Sequence, residues 1–141
     1  MNLRPILLVE DNSDDAFFVQ RAFEAAGVTN QVVHLSDGEL TAEYLLGPEM
    51  QDELKRPGMI LLDLKLPYKS GFEILELVRG HPQLRTTVVV MMTSSSEASD
   101  IRRCLELGAN SYVVKPSGFA ELSKLVTAIR DFWIQYHRPV H

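Results

Sequence analysis

The sequence predicts an α/β domain in which a parallel sheet carries helices on both faces. Four short runs, Ile6-Leu7-Leu8-Val9, Met59-Ile60-Leu61-Leu62, Val88-Val89-Val90-Met91-Met92 and Tyr112-Val113-Val114, are continuously apolar rather than alternating, which marks strands buried on both faces. A weaker run, Gln31-Val32-Val33-His34-Leu35, reads as an edge strand. Stretches with helical periodicity separate these runs, so β and α segments alternate five times, the pattern of a parallel sheet with crossover helices.

Each helix carries its own punctuation. The first is expected to begin near Asn12 or Ser13, to keep Asp14 and Asp15 in its first turn, and to stop at Gly27. Cap oxygens and carboxylates satisfy the free N–H groups at a helix start, and glycine accepts the left-handed turn at its end. Its core stripe is Ala16, Val19, Ala22, Phe23 and Ala26, which turns Phe17 and Phe18 away from the sheet. The second helix spans Gly38 to Leu46. The third follows Gly71, buries Phe72, Leu75 and Val78, and ends before His81-Pro82, because the residue preceding proline resists helix. The fourth has Ser94 three residues before Glu97, a capping-box spacing, and ends at Gly108. The fifth, from Ser117, places Leu122, Val126, Ile129 and Trp133 on one face with Leu125 and Phe132 alongside, and Ile134 outside that stripe. Gly47 to Gly58, with Pro48 and Pro57, reads as a surface loop.

At 141 residues the chain is expected to form one domain, residues 1–141, with a single unstapled core. A net charge of -5 and a pI near 5.3 argue against a nucleic-acid groove, which needs a clustered basic surface. The lone Cys104 forms no internal disulfide, which points to a reducing cytoplasm. No apolar run approaches the roughly 20 residues that span a bilayer, and the start Met1-Asn2-Leu3-Arg4-Pro5 has no signal-peptide core. His34, His81, His137 and His141 have no metal-ligand spacing and read as surface residues, and Met91 and Met92 as strand packing.

Ligands of open parallel sheets bind at the carboxyl ends of the strands. Here the first strand ends in Glu10-Asp11, the third in Asp63, the fourth in Thr93 and the fifth in Lys115-Pro116. Taken singly, these residues have structural explanations as helix-start charges, a turn residue, a helix cap and a solvated lysine. Their coincidence at four strand ends is the functional signal. Together they suit a magnesium-assisted phosphoryl acceptor, since Mg²⁺ prefers a few hard oxygens and keeps several waters. Asp11 and Asp63 would bind the ion directly, Glu10 through water, and the backbone carbonyl of Lys65 would complete the protein share. Asp63 would attack phosphorus while Lys115 and the ion neutralise its oxygens, and Thr93 would hydrogen-bond the product. Two carboxylates ~5 Å apart repel by roughly 3 kcal/mol at an effective dielectric near 20, so Asp11→Asn or Asp63→Asn is expected to stabilise the metal-free protein. An aspartyl phosphatase would need a second Asp where Lys65 stands, and Glu10-Asp11 would repel the phosphate of a flavin nucleotide.

Val9-Glu10-Asp11-Asn12, Leu62-Asp63-Leu64-Lys65-Leu66-Pro67, Ser70-Gly71, Met92-Thr93-Ser94, Gly108-Ala109, Tyr112 and Lys115-Pro116 closely resemble the receiver domains of two-component response regulators. The length, the long loop before the third strand and the end Asp131-Phe132-Trp133-Ile134 look like single-domain regulators that partner bacterial phytochrome-type histidine kinases. The resemblance implies a flavodoxin-like, doubly wound, five-stranded parallel sheet of order 2-1-3-4-5 with five helices. It implies phosphotransfer from a kinase histidine to Asp63, slow hydrolysis afterwards, a cis bond before Pro116, and coupled movement of Thr93 and Tyr112. The readout surface would be the fourth helix, fifth strand and fifth helix, and Phe18 lies where such domains meet their kinase. Phe132, Trp133, Ile134 and Tyr136 add the expectation of a homodimer.

Overall fold

Among the described residues, five parallel strands, β1 (Ile6–Val9), β2 (Val32–Leu35), β3 (Met59–Leu62), β4 (Val88–Thr93) and β5 (Ser111–Val114), pair in the order β2-β1-β3-β4-β5. Five α-helices connect or follow them: α1 (Ser13–Ala25), α2 (Gly38–Leu46), α3 (Gly71–Gly80), α4 (Ala98–Glu106) and α5 (Phe119–Ile129). The computed structural model describes residues 4–136, with side chains through Ile134. His137, His141 and the side chain of Tyr136 lie outside the described residues.

Alternation along the central strands builds two cores. Leu7, Val9, Ile60, Leu62, Val89 and Met91 pack with α2 and α3 residues such as Leu45, Ile74, Leu75 and Val78. Ile6, Leu8, Met59, Leu61, Val88, Val90 and Met92 face the other way, against Ala16, Val19, Phe23, Val126 and Ile129 of α1 and α5. The strands β1, β3 and β4 are fully buried, as their unbroken apolar runs require. β5 is the second edge, and its residues are only half-buried or exposed, because an edge strand lacks a neighbour and part of its helical cover.

α1 starts where expected, with the Asn12 side chain accepting from the Asp15 N–H at 2.9 Å. Its predicted stripe is buried apart from a half-covered Ala26, and Phe17 and Phe18 remain 56% and 46% exposed. On α3, Ile74 takes the fully buried place, and Phe72 is half-buried beneath the Arg103 guanidinium, 4.0 Å from its ring centre.

Several local expectations give way to competing contacts. The capping box at Ser94 does not form: α4 begins at Ala98 with Glu97 as its cap residue, and it is the Ser95 hydroxyl that bonds Glu97 N (3.4 Å) and Asp100 Oδ2 (2.7 Å). α5 begins at Phe119 rather than Ser117, because the chain first turns through Gly118 at φ +94°. From Arg130 to Tyr136 the helix widens to a π-helix. The wider turn changes the phase of the apolar face, so Ile134 joins Trp133 against the core while Phe132 is left exposed. The Gly47–Gly58 segment contains two 3₁₀ turns, Pro48–Gln51 and Glu53–Lys55, anchored by a fully buried Met50.

His34 and His81 are half-buried rather than on the surface: a ring nitrogen of His34 donates to Glu10 O at 2.7 Å, and His81 Nδ1 accepts from Gln83 N at 3.1 Å. The bond before Pro116 is trans, since the described residues contain no cis peptide. Trans is the intrinsically lower form by about 0.5–1 kcal/mol, and Gly118 supplies the reversal after β5.

Candidate functional site

Strand register brings the predicted residues together. Val9 pairs with Leu62 and Leu62 with Met91, so the next residues, Glu10 and Asp63, emerge side by side at the sheet's carboxyl edge. Asp63 N donates to Val9 O at 3.1 Å, and Lys115 N donates to Thr93 O at 2.8 Å, which fixes the backbone around both groups. Counting by alternation, Glu10, Asp63 and Lys115 share the parity of Leu8, Leu61 and Val113, which pack on the α1/α5 side.

Lys115 Nζ bridges three carboxylates. It lies 3.0 Å from Asp63 Oδ2 and 3.3 Å from Asp15 Oδ2, and it forms an ion pair with Glu10 Oε1. Glu10 and Asp63 are only 2% and 6% exposed. Glu10 Oε2 also accepts from Asn12 N at 3.1 Å. Burial, with a smaller contribution from the Asp63 charge, pushes the Glu10 carboxyl up to about 7 against the pull of Lys115 and Asn12. Burial works against the Lys115 charge, but bonds to Glu10 and Asp63 outweigh it and hold the ammonium above its usual range.

Asp11, exposed at the rim, completes an acidic group: Glu10, Asp11 and Asp63 each offer an oxygen within 4.8 Å of the others. With Asp15, four carboxylates stand near one ammonium that bonds three of them, and the excess of acidic groups and all-oxygen donor set fit a hard divalent ion. Lys65 borders the same rim, its N–H 3.4 Å from Asp63 Oδ1. The loop carrying it is clamped by Gly71, whose N–H donates to Leu64 O at 2.8 Å. A Cβ on Gly71 would stand 2.3 Å from the Asp63 carbonyl oxygen, so only glycine allows α3 to start this close to the acidic residue.

Thr93 is fully buried, and its hydroxyl oxygen accepts from Ser95 N at 3.5 Å. The Tyr112 hydroxyl donates to Ser95 O at 2.8 Å, and burial raises its phenol above the ordinary range. Ser95 thus ties together the two predicted switch residues and, through Asp100, the start of α4. Phe18 stands beside the site, its ring edge-on to Phe17 (5.7 Å) and Phe119 (6.3 Å). It lines a cavity of about 420 Å³ with Glu10, Asp15, Met92, Lys115 and Phe119.

The structure therefore brings Glu10, Asp11, Asp63 and Lys115 together at one edge, sets Thr93 at the end of β4, and leaves Tyr112 within β5, joined to Thr93 through Ser95. Two residues were missed. Asp15 was read only as a helix-start charge, although it stands one turn beyond Asp11 and could have been placed on the same face. Ser95 carried no signal beyond its place two residues after Thr93.

A buried acidic pair, a bridging lysine and a threonine at the strand ends of a 2-1-3-4-5 sheet define a receiver domain. The chain belongs to the response regulator receiver domain family, whose model matches residues 6–127, and it is a phosphorelay signalling response regulator. Its homologues include the phytochrome response regulators. Response regulator Rcp1 of Synechocystis sp. is 34% identical over 130 residues, which covers 92% of this chain and 88% of that protein. The probable methanogenesis regulatory protein FilR2 of Methanothrix harundinacea is 38% identical, with 94% and 85% covered. Among solved structures, the phosphorylated cyanobacterial phytochrome response regulator RcpA superposes with a TM-score of 0.88 at 32% identity, covering 97% of this chain and 98% of that one. The Mn²⁺-bound form of Rcp1 gives 0.85 at 33%, with 97% and 99% covered. No helix among the described residues is long and apolar enough to cross a membrane.

Proposed function

We propose that this receiver takes a phosphoryl group from the histidine of a sensor kinase, of phytochrome type, onto Asp63. The observation that carries the reading is the position of Lys115, whose ammonium joins Asp63 to Glu10 beside the exposed carboxylate of Asp11. One Asp63 oxygen attacks phosphorus, Lys115 neutralises a phosphoryl oxygen, and the Thr93 hydroxyl donates to the product. Asp11, Asp63 and the Lys65 carbonyl would hold Mg²⁺ directly and Glu10 through water. When bound, the ion supplies further neutralisation of the transferring group.

Phosphorylation then favours the arrangement that best binds the new group, with Thr93, Ser95 and Tyr112 carrying the change toward α4. Hydrolysis of the acyl phosphate afterwards is slow, an autophosphatase activity at most. The receiver acts in the cytoplasm and meets its protein partners through its own surface, without nucleic acid or membrane. The exposed Phe18, with Phe17 and Phe119 around it, supports a kinase-docking role. Exposed Leu105, Val114 and Phe132 support homodimerisation through the α4-β5-α5 face.

Incubation with acetyl phosphate and Mg²⁺ followed by intact mass tests the central assignment. One added phosphoryl group is expected in the native chain and none in Asp63→Asn, and equal incorporation in both would reject it. Light scattering with and without a beryllofluoride mimic tests the dimer, which a monomer under both conditions would exclude.

A further inference from the structure

We propose that Asp15 sets donor selectivity in this reaction, favouring phosphoryl donors that leave as neutral nitrogen bases over those that leave as anions. The inference rests on the reading of Asp63 as acceptor, and it concerns what the surrounding wall does to the departing group.

Three observations carry it. Asp15 Oδ2 lies 3.3 Å from Lys115 Nζ, the same ammonium that touches Asp63 Oδ2 at 3.0 Å, so one cation separates the two carboxylates. Of the three carboxylates bonded to Lys115, Asp15 is the accessible one, with 46% of its side chain exposed, whereas Glu10 is shut in. Finally, it lines the roughly 420 Å³ cavity together with Glu10 and Lys115, alongside the rings of Phe18 and Phe119 and the apolar side chains of Val19, Met92 and Leu122. That combination, flat apolar walls and a solvent-accessible carboxylate acceptor beside the buried Glu10, suits a heteroaromatic ring bearing an N–H.

The chemistry distinguishes donors by charge. With a phosphorus–nitrogen donor, the P–N bond breaks as the bond from an Asp63 oxygen forms. That nitrogen keeps the electron pair of the broken bond, and the donor's proton, on the same nitrogen in phosphoramidate and on the second ring nitrogen in a phosphorylated imidazole, stays with the group, which leaves as a neutral base. The protonated donor carries its positive charge on the nitrogen group that departs, and a nearby carboxylate favours it. With an acyl phosphate, the P–O bond breaks and a carboxylate leaves with a full negative charge, which Asp15 repels. Asp15 also draws on Lys115, so its removal frees more of that ammonium for an anionic donor.

Initial rates of phosphorylation with phosphoramidate and with acetyl phosphate, both with Mg²⁺, test the proposal. Asp15→Asn is expected to lower the phosphoramidate-to-acetyl-phosphate rate ratio by about threefold or more, the scale of one partly screened charge at close range. Asp15→Glu is expected to restore the ratio. Asp14→Asn, on the same helical turn and exposed, is expected to leave it unchanged. Equal changes in both rates in Asp15→Asn would reduce the residue to a support for Lys115 and overturn the proposal, as would an equal effect of Asp14→Asn. Asp63→Asn separates the two readings: incorporation that persists there overturns the acceptor assignment, whereas an unchanged ratio in Asp15→Asn overturns selectivity alone.

Discussion

Lys115 Nζ stands 3.0 Å from Asp63 Oδ2, although 52 positions of chain separate the two residues. The sheet register makes the meeting, and the ion pair changes the electrostatics expected from the carboxylates alone. Asp63 is already compensated in the metal-free protein, so neutralising it removes an attraction together with a repulsion. The stabilisation expected of Asp63→Asn from the sequence therefore does not carry over.

Asp11 retains that expectation, because it contributes negative charge at the rim and its group has oxygens within 4.8 Å. Asp11→Asn is predicted to stabilise the metal-free protein by about 0.5–1 kcal/mol, a value reduced by solvent screening, and to lose most of the stabilisation that Mg²⁺ gives the native chain. Urea melts with and without Mg²⁺ measure both effects, and a destabilised metal-free variant would count against the clustered acidic site.

The Glu10 carboxyl gives a pH signature. It rises from 4.5 to about 7 on folding, chiefly through burial, so the folded chain keeps a proton that the unfolded chain has released. Stability from this group is complete below the unfolded value and is lost as pH climbs through about 7. Lys115, held above its usual range, loses its contribution only at far higher pH. Metal-free stability is predicted to fall by roughly 1–3 kcal/mol between about pH 5 and about pH 8. Glu10→Gln should flatten that fall, and the same slope in the variant would assign it elsewhere.

Gly71 lets α3 approach the acceptor. Its added Cβ would meet the Asp63 carbonyl oxygen at 2.3 Å and the Leu64 Cα at 2.8 Å, both backbone atoms that cannot swing aside. Gly71→Ala is predicted to cost about 2 kcal/mol or more and to slow phosphorylation from acetyl phosphate. Chemical denaturation and intact mass read the two effects, and a variant with native stability would refute the close approach.

Tyr68 is the single non-glycine residue with positive φ among the described residues, at +71°, and it is 78% exposed in the loop after β3. Glycine adopts that conformation without the Cβ penalty. Tyr68→Gly is predicted to be neutral to stabilising by up to about 1 kcal/mol, whereas a comparable exposed substitution to glycine elsewhere should destabilise. A clear loss in a thermal melt would mean that the tyrosine ring makes a contact that matters.

The sequence was most informative where one physical requirement dominated. Unbroken apolar runs located β1, β3 and β4 because burial on both faces leaves no polar position, and residues just beyond their ends fell at the sheet edge. Asn12, Gly38 and Gly71 marked helix starts through local backbone chemistry. Contacts between distant segments were harder to read. Asp15 looked sufficient as a helix-start charge until the fold brought Lys115 to it. Ser95 displaced the Ser94 capping box because its hydroxyl had Asp100 as a partner. The π-helical turn that exchanged Ile134 for Phe132 carries no periodicity signal over so few residues.

Chemical mapping of the phosphorylated residue is the most direct measurement. Brief treatment with acetyl phosphate and Mg²⁺, reduction of the acyl phosphate by borohydride and peptide mass mapping should find the reduced side chain at position 63 alone. Reduction at Asp11 or Asp15 with position 63 untouched would contradict the account.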